Sequence, residues 1–294
     1  MLDAFCVDLE EWFHVCGVET PYQDPATWGD APSCVERDTE VLLGLLDEVG
    51  AKGTFLAVGW LAEKHPGLIK RIGDLGHEIG CHGYYHRLVF EQTPEEFRAE
   101  ISRARKLLQD VSGQDVSCFR APGFSMTTDC FWAYPILAEE GIRVDVSIVP
   151  AARDHGGIQG FGRSPFCLET DAGEIQVFPV SVMQLAGRTL PFSGGGYMRL
   201  FPMPLLHLGF RQNHRMGLPV MTYIHPREIN PDQPRLPLPP LKRFKYYVGL
   251  RGCEGKLRTL LHRYRFGTVS DVLRSHPATL RRRLETRDGL LSMS

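Results

Sequence analysis

The feature that most restricts the fold is an alternation of short apolar runs with amphipathic stretches, sustained over the first two-thirds of the chain. AFCVDL near residue 5, GTFLAVG near 55, HEIGCH near 79 and VSCFRAP near 119 read as buried strands. EIQVFPV near 177 and PVMTYIHP near 222 extend the set. Helical patterns lie between them. One runs from about Cys34 to Val49, with Val41, Leu42, Leu45 and Leu46 at helical spacing. Another opens at TPEEF, where Thr93 can cap, Pro94 suits the first helical position and Glu96 completes a capping box; it continues through Ile101, Ala104 and Leu108 to Gly113. Strand and helix in alternation predict an α/β fold with a parallel sheet and crossover helices, open or closed into a barrel. At 294 residues the chain is long for one domain, yet α/β barrels reach this size as single units.

The boundaries of function follow from composition. With 43% hydrophobic and 23% charged residues and a formal net charge of -2, the chain reads as globular and unsuited to general polyanion binding, so no nucleic-acid partner is expected. The opening MLDAFCVDLEEWF has neither a basic nor an apolar signal region, and no apolar run approaches the ~20 residues of a bilayer span. The 8 cysteines form no C-x-x-C pair and suggest reduced thiols. The expected location is cytoplasmic, with peripheral attachment to the inner membrane face as an extension of that expectation.

NPDQPRLPLPP, residues 230 to 240, is too rich in proline for a helix and reads as an extended surface loop. It divides an expected barrel over 1–229 from a basic, helical C-terminal extension over 230–294 packing on it. Between Lys242 and Arg283, twelve Lys and Arg face only Glu254 and Asp271, a local charge of +10. KLRTLLHRYRF puts Leu257, Leu260, Leu261 and Tyr264 on one stripe, so the plain reading is a packed helix with a solvated basic face. The alternative is a patch for an anionic membrane surface or a phosphorylated, lipid-linked carrier.

Chemistry concentrates at strand ends. CHGYYH spaces His82 and His86 so that both imidazoles can share a metal ion. In FCVDLEEWF, Asp8 and Glu10 share one side of an extended strand, which makes them candidate ligand and base. Two imidazoles and a carboxylate form the donor set of an open catalytic zinc site; the same set accepts Co, Ni, Mn or Fe. Arg120 in FRAPGFS can hold a carboxylate with two donors. His225 ends the strand of TYIHP, and Asp145 in RVDVSIVP could hydrogen-bond an imidazole and raise its pKa.

Taken in order, VDLEEWF, TFLAVGWLAEKHPGLIKRIGDLGHEIGCHGYYHRLV, FRAPGFS, VDVSIVP and YIHP resemble the motifs of the polysaccharide deacetylases, carbohydrate esterase family four, with its NodB-homology domain. The similarity is greatest to the branch found beside exopolysaccharide export (exosortase) genes, whose members also carry a stretch like PFSGGGYMRL. It spans roughly residues 3 to 275. The resemblance implies a distorted (β/α)7 barrel and metal-dependent removal of N-acetyl groups from the amino sugars of an oligo- or polysaccharide. It makes His82 and His86 metal ligands, Asp8 the base, Arg120 its tether and His225 the acid. Most of the family has adjacent aspartates in the first motif, whereas this chain has Asp8, Leu9, Glu10; the third ligand is then Glu10.

Further pieces are expected around the cleft. Pro122, Gly195 and Tyr197, the last two in SGGGY, are expected to line it. Trp12, Phe13 and Tyr84 can stack on sugar rings or simply pack the core, and the Tyr84 backbone N–H is a candidate oxyanion donor. Two rivals stand beside this reading: hydrolysis of another C–N bond, such as a cyclic imide or ureide, and a non-catalytic glycan-binding relative.

Overall fold

Five strands alternate with helices in the first half of the chain: β1 (Leu2–Leu9), β2 (Thr54–Ala57), β3 (Glu78–Cys81), β4 (Cys118–Phe119) and β5 (Val144–Asp145). They are separated by α1 (Val35–Asp47), α2 (Gly59–Lys64), α3 (Pro66–Asp74), α4 (Pro94–Ser112) and α5 (Ala133–Glu139). The computed structural model describes residues 1–153, 156–287 and 290–293. Its second half adds β6 (Phe166–Thr170), β7 (Gly173–Val177), the hairpin β8 (Val182–Leu185) and β9 (Arg188–Pro191), and β10 (Met221–Ile224). It continues with β11 (Arg265–Gly267), β12 (Leu280–Arg287) and β13 (Leu290–Met293). The accompanying helices are α6 (Gly195–Leu200), α7 (Met203–Arg215), α8 (Pro240–Tyr247), α9 (Leu250–Arg263) and α10 (Val269–Ser275).

The strand order is β10-β1-β2-β3-β4-β5-β7-β6-β12-β13, with β11 pairing β1. Pairing is parallel from β10 through β5 to β7. That run of seven parallel strands is the α/β sheet the alternation predicts, and the chain folds as one domain. Among the described residues the hydrogen-bonded path stays open rather than closing on itself. β1 is buried over all but its first residue, as a parallel strand covered on both faces must be.

Local chemistry sets the helix ends. At Thr93 both arms of the capping box form: the Glu96 N–H donates to the Thr93 hydroxyl oxygen and the Thr93 N–H to the Glu96 carboxylate, at 3.2 and 2.9 Å. Gly113 ends α4 in the left-handed conformation, φ 69°. In α1, Leu42, Leu45 and Leu46 are buried as expected, but Val41 is exposed and Leu43 takes its place.

The C-terminal region does more than pack on the sheet. α9 buries Leu257, Leu260 and Leu261, in line with the plain reading of the basic stretch. Beyond it, β11 pairs with β1 and β12 with β6, so residues after 230 contribute strands to the sheet itself. Much of the basic charge is engaged: Arg258 pairs with Glu48 and Glu254, Arg281 with Glu169 and Glu174, and Lys256 donates to three carbonyls. Among the described residues no helix is long and apolar enough to cross a membrane.

Candidate active site

Parallel strands deliver their following residues to one edge of the sheet, and this edge collects the chemistry. Glu10 follows β1, His82 follows β3, Arg120 follows β4 and His225 follows β10, while Asp8 sits one residue before the end of β1. A cavity of about 270 Å³ opens there, lined by Asp8, Glu10, His82, His86, His225 and Glu228 among others.

Glu10, His82 and His86 bring one ligand atom each to within 4.8 Å of one another. The His82 Nδ1–H donates to the Arg120 carbonyl at 2.7 Å, which leaves Nε2 for a ligand. His86 adopts φ 55°, a left-handed conformation uncommon for a residue with a side chain, at the end of the tight loop from His82. Its Nε2 lies 2.7 Å from Glu10 Oε2, yet that oxygen is buried without a hydrogen bond. Three ligand atoms converging this closely on a buried carboxylate oxygen that lacks a well-directed hydrogen bond fit a divalent cation. Burial pushes the His82 pKa down to about 4, so this imidazole is neutral and able to coordinate. For Glu10, burial works to raise the pKa, but His86 and His225 outweigh it and hold the carboxylate ionised.

Asp8 stands beside this trio rather than in it. Its Oδ1 accepts from Arg120 Nη1, and Arg120 is fully buried, with Nε donating to the Val146 carbonyl at 3.2 Å. Asp8 Oδ2 lies 3.7 Å from His225 Nε2, and Glu10 Oε1 lies 3.5 Å from the same nitrogen.

Two sequence expectations need correction. Asp145 does not reach an imidazole: its oxygens accept from the Ser147 and Tyr134 hydroxyls, because β5 turns the carboxylate toward α5, and burial raises its pKa to about 6. The imidazole partner is Glu228, whose Oε2 lies 3.0 Å from His225 Nδ1 and accepts from the His225 N–H at 3.0 Å. The signal was present as His225, Pro226 and Glu228 at capping-box spacing, the arrangement already legible at Thr93. The Tyr84 N–H is not an available oxyanion donor either, because it donates to Glu100 at 2.9 Å.

The proposed sugar contacts divide. Tyr197 lines the cavity. Trp12, Phe13 and Tyr84 are buried in the core; Trp12 stacks edge-on to Phe13 and Tyr22 and donates to the Pro32 carbonyl. Pro122 is buried behind Gly123 and Phe124, which are the members of that motif on the wall. Gly195 is also behind the wall, for a steric reason: a Cβ there would lie 1.6 Å from Glu228 Oε2. Its neighbour Gly194 packs on the Tyr223 ring in the same way, so the glycine run lets α6 approach β10 and the turn that holds Glu228. Arg199 of α6 then donates from Nε to Glu228 Oε1 at 3.1 Å.

His14 also lines the cavity and has no motif in the sequence to announce it. It stacks on His86 with ring centroids 5.6 Å apart, and its Nδ1 accepts from the Glu11 N–H at 3.3 Å. Burial lowers its pKa to about 3, so it is a neutral wall residue.

Residues 26–139 match the polysaccharide deacetylase family, and residues 146–274 match a domain of unknown function, DUF3473. A peptidoglycan-N-acetylglucosamine deacetylase of Bacillus cereus is 32% identical over 108 residues, 36% of this chain and 38% of that protein. A chitooligosaccharide deacetylase of Azorhizobium caulinodans is 33% identical over 85 residues, 29% of this chain and 40% of that protein. The match therefore spans well under half the length of these curated relatives. A crystal structure from Mycobacterium smegmatis, named for the polysaccharide deacetylases, superposes with a TM-score of 0.64 at 21% identity, covering 98% of this chain and 94% of that one; this likeness concerns the fold. His82, His86 and Arg120 lie in the first matched segment, His225 and Glu228 in the second, and Asp8 and Glu10 precede both.

Proposed function

From a chain that joins a polysaccharide deacetylase domain of carbohydrate esterase family 4 to a DUF3473 domain, we propose a metal-dependent hydrolase that removes N-acetyl groups from the amino sugars of a polysaccharide or its lipid-linked oligosaccharide precursor. The observation that carries the reading is the convergence of Glu10, His82 and His86 beside the Asp8–Arg120 pair and His225.

Glu10, His82 and His86 would hold a divalent cation, with zinc the natural choice for this donor set. When bound, such a cation lowers the pKa of water and polarises the acetyl carbonyl. Asp8 takes the proton of the attacking water through Oδ2, the oxygen that Arg120 leaves available. Arg120 fixes the carboxylate in place and turns Oδ2 toward the cavity side that holds His225. His225 serves as the acid that protonates the departing amine. Burial alone would lower its pKa, but Glu10 and Glu228 outweigh burial and raise it, which keeps a proton available near neutral pH. Glu228 also fixes the ring by holding Nδ1, so that Nε2 faces the cavity.

A second groove, containing Tyr22, Trp28 and Tyr85, shares His14, Cys16 and His86 with the cavity and gives room for further sugar units. That extended shape favours an oligosaccharide over a small cyclic imide or ureide. For the lipid-linked form, the supporting feature is α8 at the cavity rim, where Leu241 and Phe244 are 68% and 56% exposed beside Lys242, Arg243 and Lys245. Changing Leu241 and Phe244 to Ser should weaken binding to anionic vesicles while sparing turnover of soluble substrate; unchanged vesicle binding would remove the lipid-linked reading.

The deciding experiment measures acetate release from N-acetylated oligosaccharides by metal-stripped, zinc-reloaded and His82→Ala protein. Release that follows the metal and is lost in the variant is the expected result. Metal binding without acetate would move the substrate toward imides or ureides, and absence of metal binding would favour a glycan-binding protein.

A further inference from the structure

The chemistry above leaves one group on the cavity wall without a task. Arg227, in the turn between His225 and Glu228, is 7% exposed, and its Nε and Nη1 are buried with no hydrogen-bond partner. Its guanidinium carbon lies 3.7 Å over the ring of Tyr246 in α8, a stacking contact that leaves the N–H donors unused. Leaving charged donors buried and unpaired costs free energy unless something supplies the acceptor.

The carboxylates of the cavity are not that acceptor. Asp8 is taken by Arg120, and Glu228 accepts from Arg199 and His225. Glu10 faces His86 and His225 within the proposed metal trio. Further cationic groups line the same wall. Arg153 donates to the Tyr223 hydroxyl at 3.2 Å and lies 4.7 Å over the Phe124 ring, and Lys242 reaches across from α8 to the Gly17 carbonyl. With the acids committed and a divalent cation added, the cavity has positive charge in excess.

We propose that the substrate carries an anionic group, a carboxylate or a phosphate on or beside the N-acetylated sugar, and that Arg227 is the specificity-determining contact, with Arg153 and Lys242 contributing at the rim. The planar guanidinium suits two-point recognition of either oxyanion and stays charged at every working pH. This deepens the deacetylase reading and rests on it for the sugar, but the charge preference can be tested apart from turnover.

The test is direct binding by the full zinc-loaded chain of three oligosaccharides of equal length. These are neutral N-acetylglucosamine, N-acetylglucosamine alternating with glucuronic acid, and N-acetylglucosamine bearing a terminal phosphate. At low salt at least one anionic ligand should bind about tenfold or more tightly than the neutral one, and the preference should shrink as salt rises. The arm that gains identifies carboxylate or phosphate. Arg227→Gln should abolish the preference and Lys242→Gln should reduce it. Equal binding of all three, or a preference undiminished in an Arg227→Gln protein of normal melting temperature, would overturn the proposal. If Arg227→Gln fails to fold, Lys242→Gln and the salt dependence decide. Acetate release is scored separately: a charge preference without acetate from any oligosaccharide removes the deacetylase reading and leaves the anion site standing.

Discussion

The two walls of the cavity are built differently. One wall, from the first 139 residues, sets Asp8, Glu10, His82 and Arg120 at or just beyond the ends of central parallel strands, with His86 on a tight loop. The other, from residues 146 to 274, hangs Arg199, His225, Arg227, Glu228 and Lys242 mainly on short turns and small helices. On the first wall polar groups interlock: the His82 ring is tied to the Arg120 carbonyl, and Arg120 in turn to Asp8. The second wall ties Arg199 and His225 to Glu228 but keeps unused donors on Arg227. Under the proposed reaction this is a division of labour, with attack on the acetyl group on the first wall and proton delivery and substrate discrimination on the second. It also coincides with the boundary between the two matched segments, 26–139 and 146–274.

Variants on each side would sharpen or break that division. The largest effect is expected for His82→Ala, which should lose both metal and acetate release; an active, metal-free variant would remove the division at its root. His225→Ala should retain metal by elemental analysis while turnover falls by ~10²–10⁴-fold, the usual contribution of a positioned acid. Glu228→Gln comes next, with turnover reduced roughly 10–100-fold, as for other groups that orient a working histidine. The sign of its pH effect follows from the raised pKa of His225: activity falls as pH rises through that pKa. Loss of Glu228 lowers the pKa, so the alkaline fall should move to lower pH. An unmoved profile would free His225 from its role as acid.

Gly195→Ala should act on the same residue from behind, because the new methyl collides with Glu228. A stability loss of about 1–3 kcal/mol, read by denaturant melts, should accompany reduced turnover. Asp145→Asn should have the smallest effect on catalysis and leave the pH–rate profile in place. Its signature lies in stability. The native pKa of about 6 exceeds the ordinary carboxyl value of 3.8, so the native protein binds this proton more tightly than the unfolded chain. The contribution of Asp145 to stability therefore declines between those values as pH rises, and the variant should lack that part of the slope.

What could be read from sequence tracks these same walls. His82 and His86 are legible because four-residue spacing and strand-end placement are local properties. Asp8 and Glu10 follow from the two-residue period of β1, and the seven-strand parallel run follows from alternation. Asp145 is not legible in this way, because the direction a strand-end carboxylate faces depends on α5, whose Tyr134 hydroxyl takes it. Glu228 was within reach through its capping-box spacing, yet its importance emerges only when α6 brings Arg199 and a glycine against it. Arg227 had no pattern at all, since an unpaired donor is visible only once the surrounding acceptors have been assigned.

The placement of β1 has a consequence for biosynthesis. Its parallel neighbours β10 and β11 come from far along the chain, and the Val220 N–H that donates to Asp3 is 217 residues away. A nascent chain on the ribosome could pair β1 with β2 early, but His225 and Glu228 can join Asp8 only after β10 has emerged. Such distant pairings are slow to form. The partly made protein would thus hold the proposed cation ligands together before it could turn over substrate, and if they bind metal its capture during synthesis should precede activity.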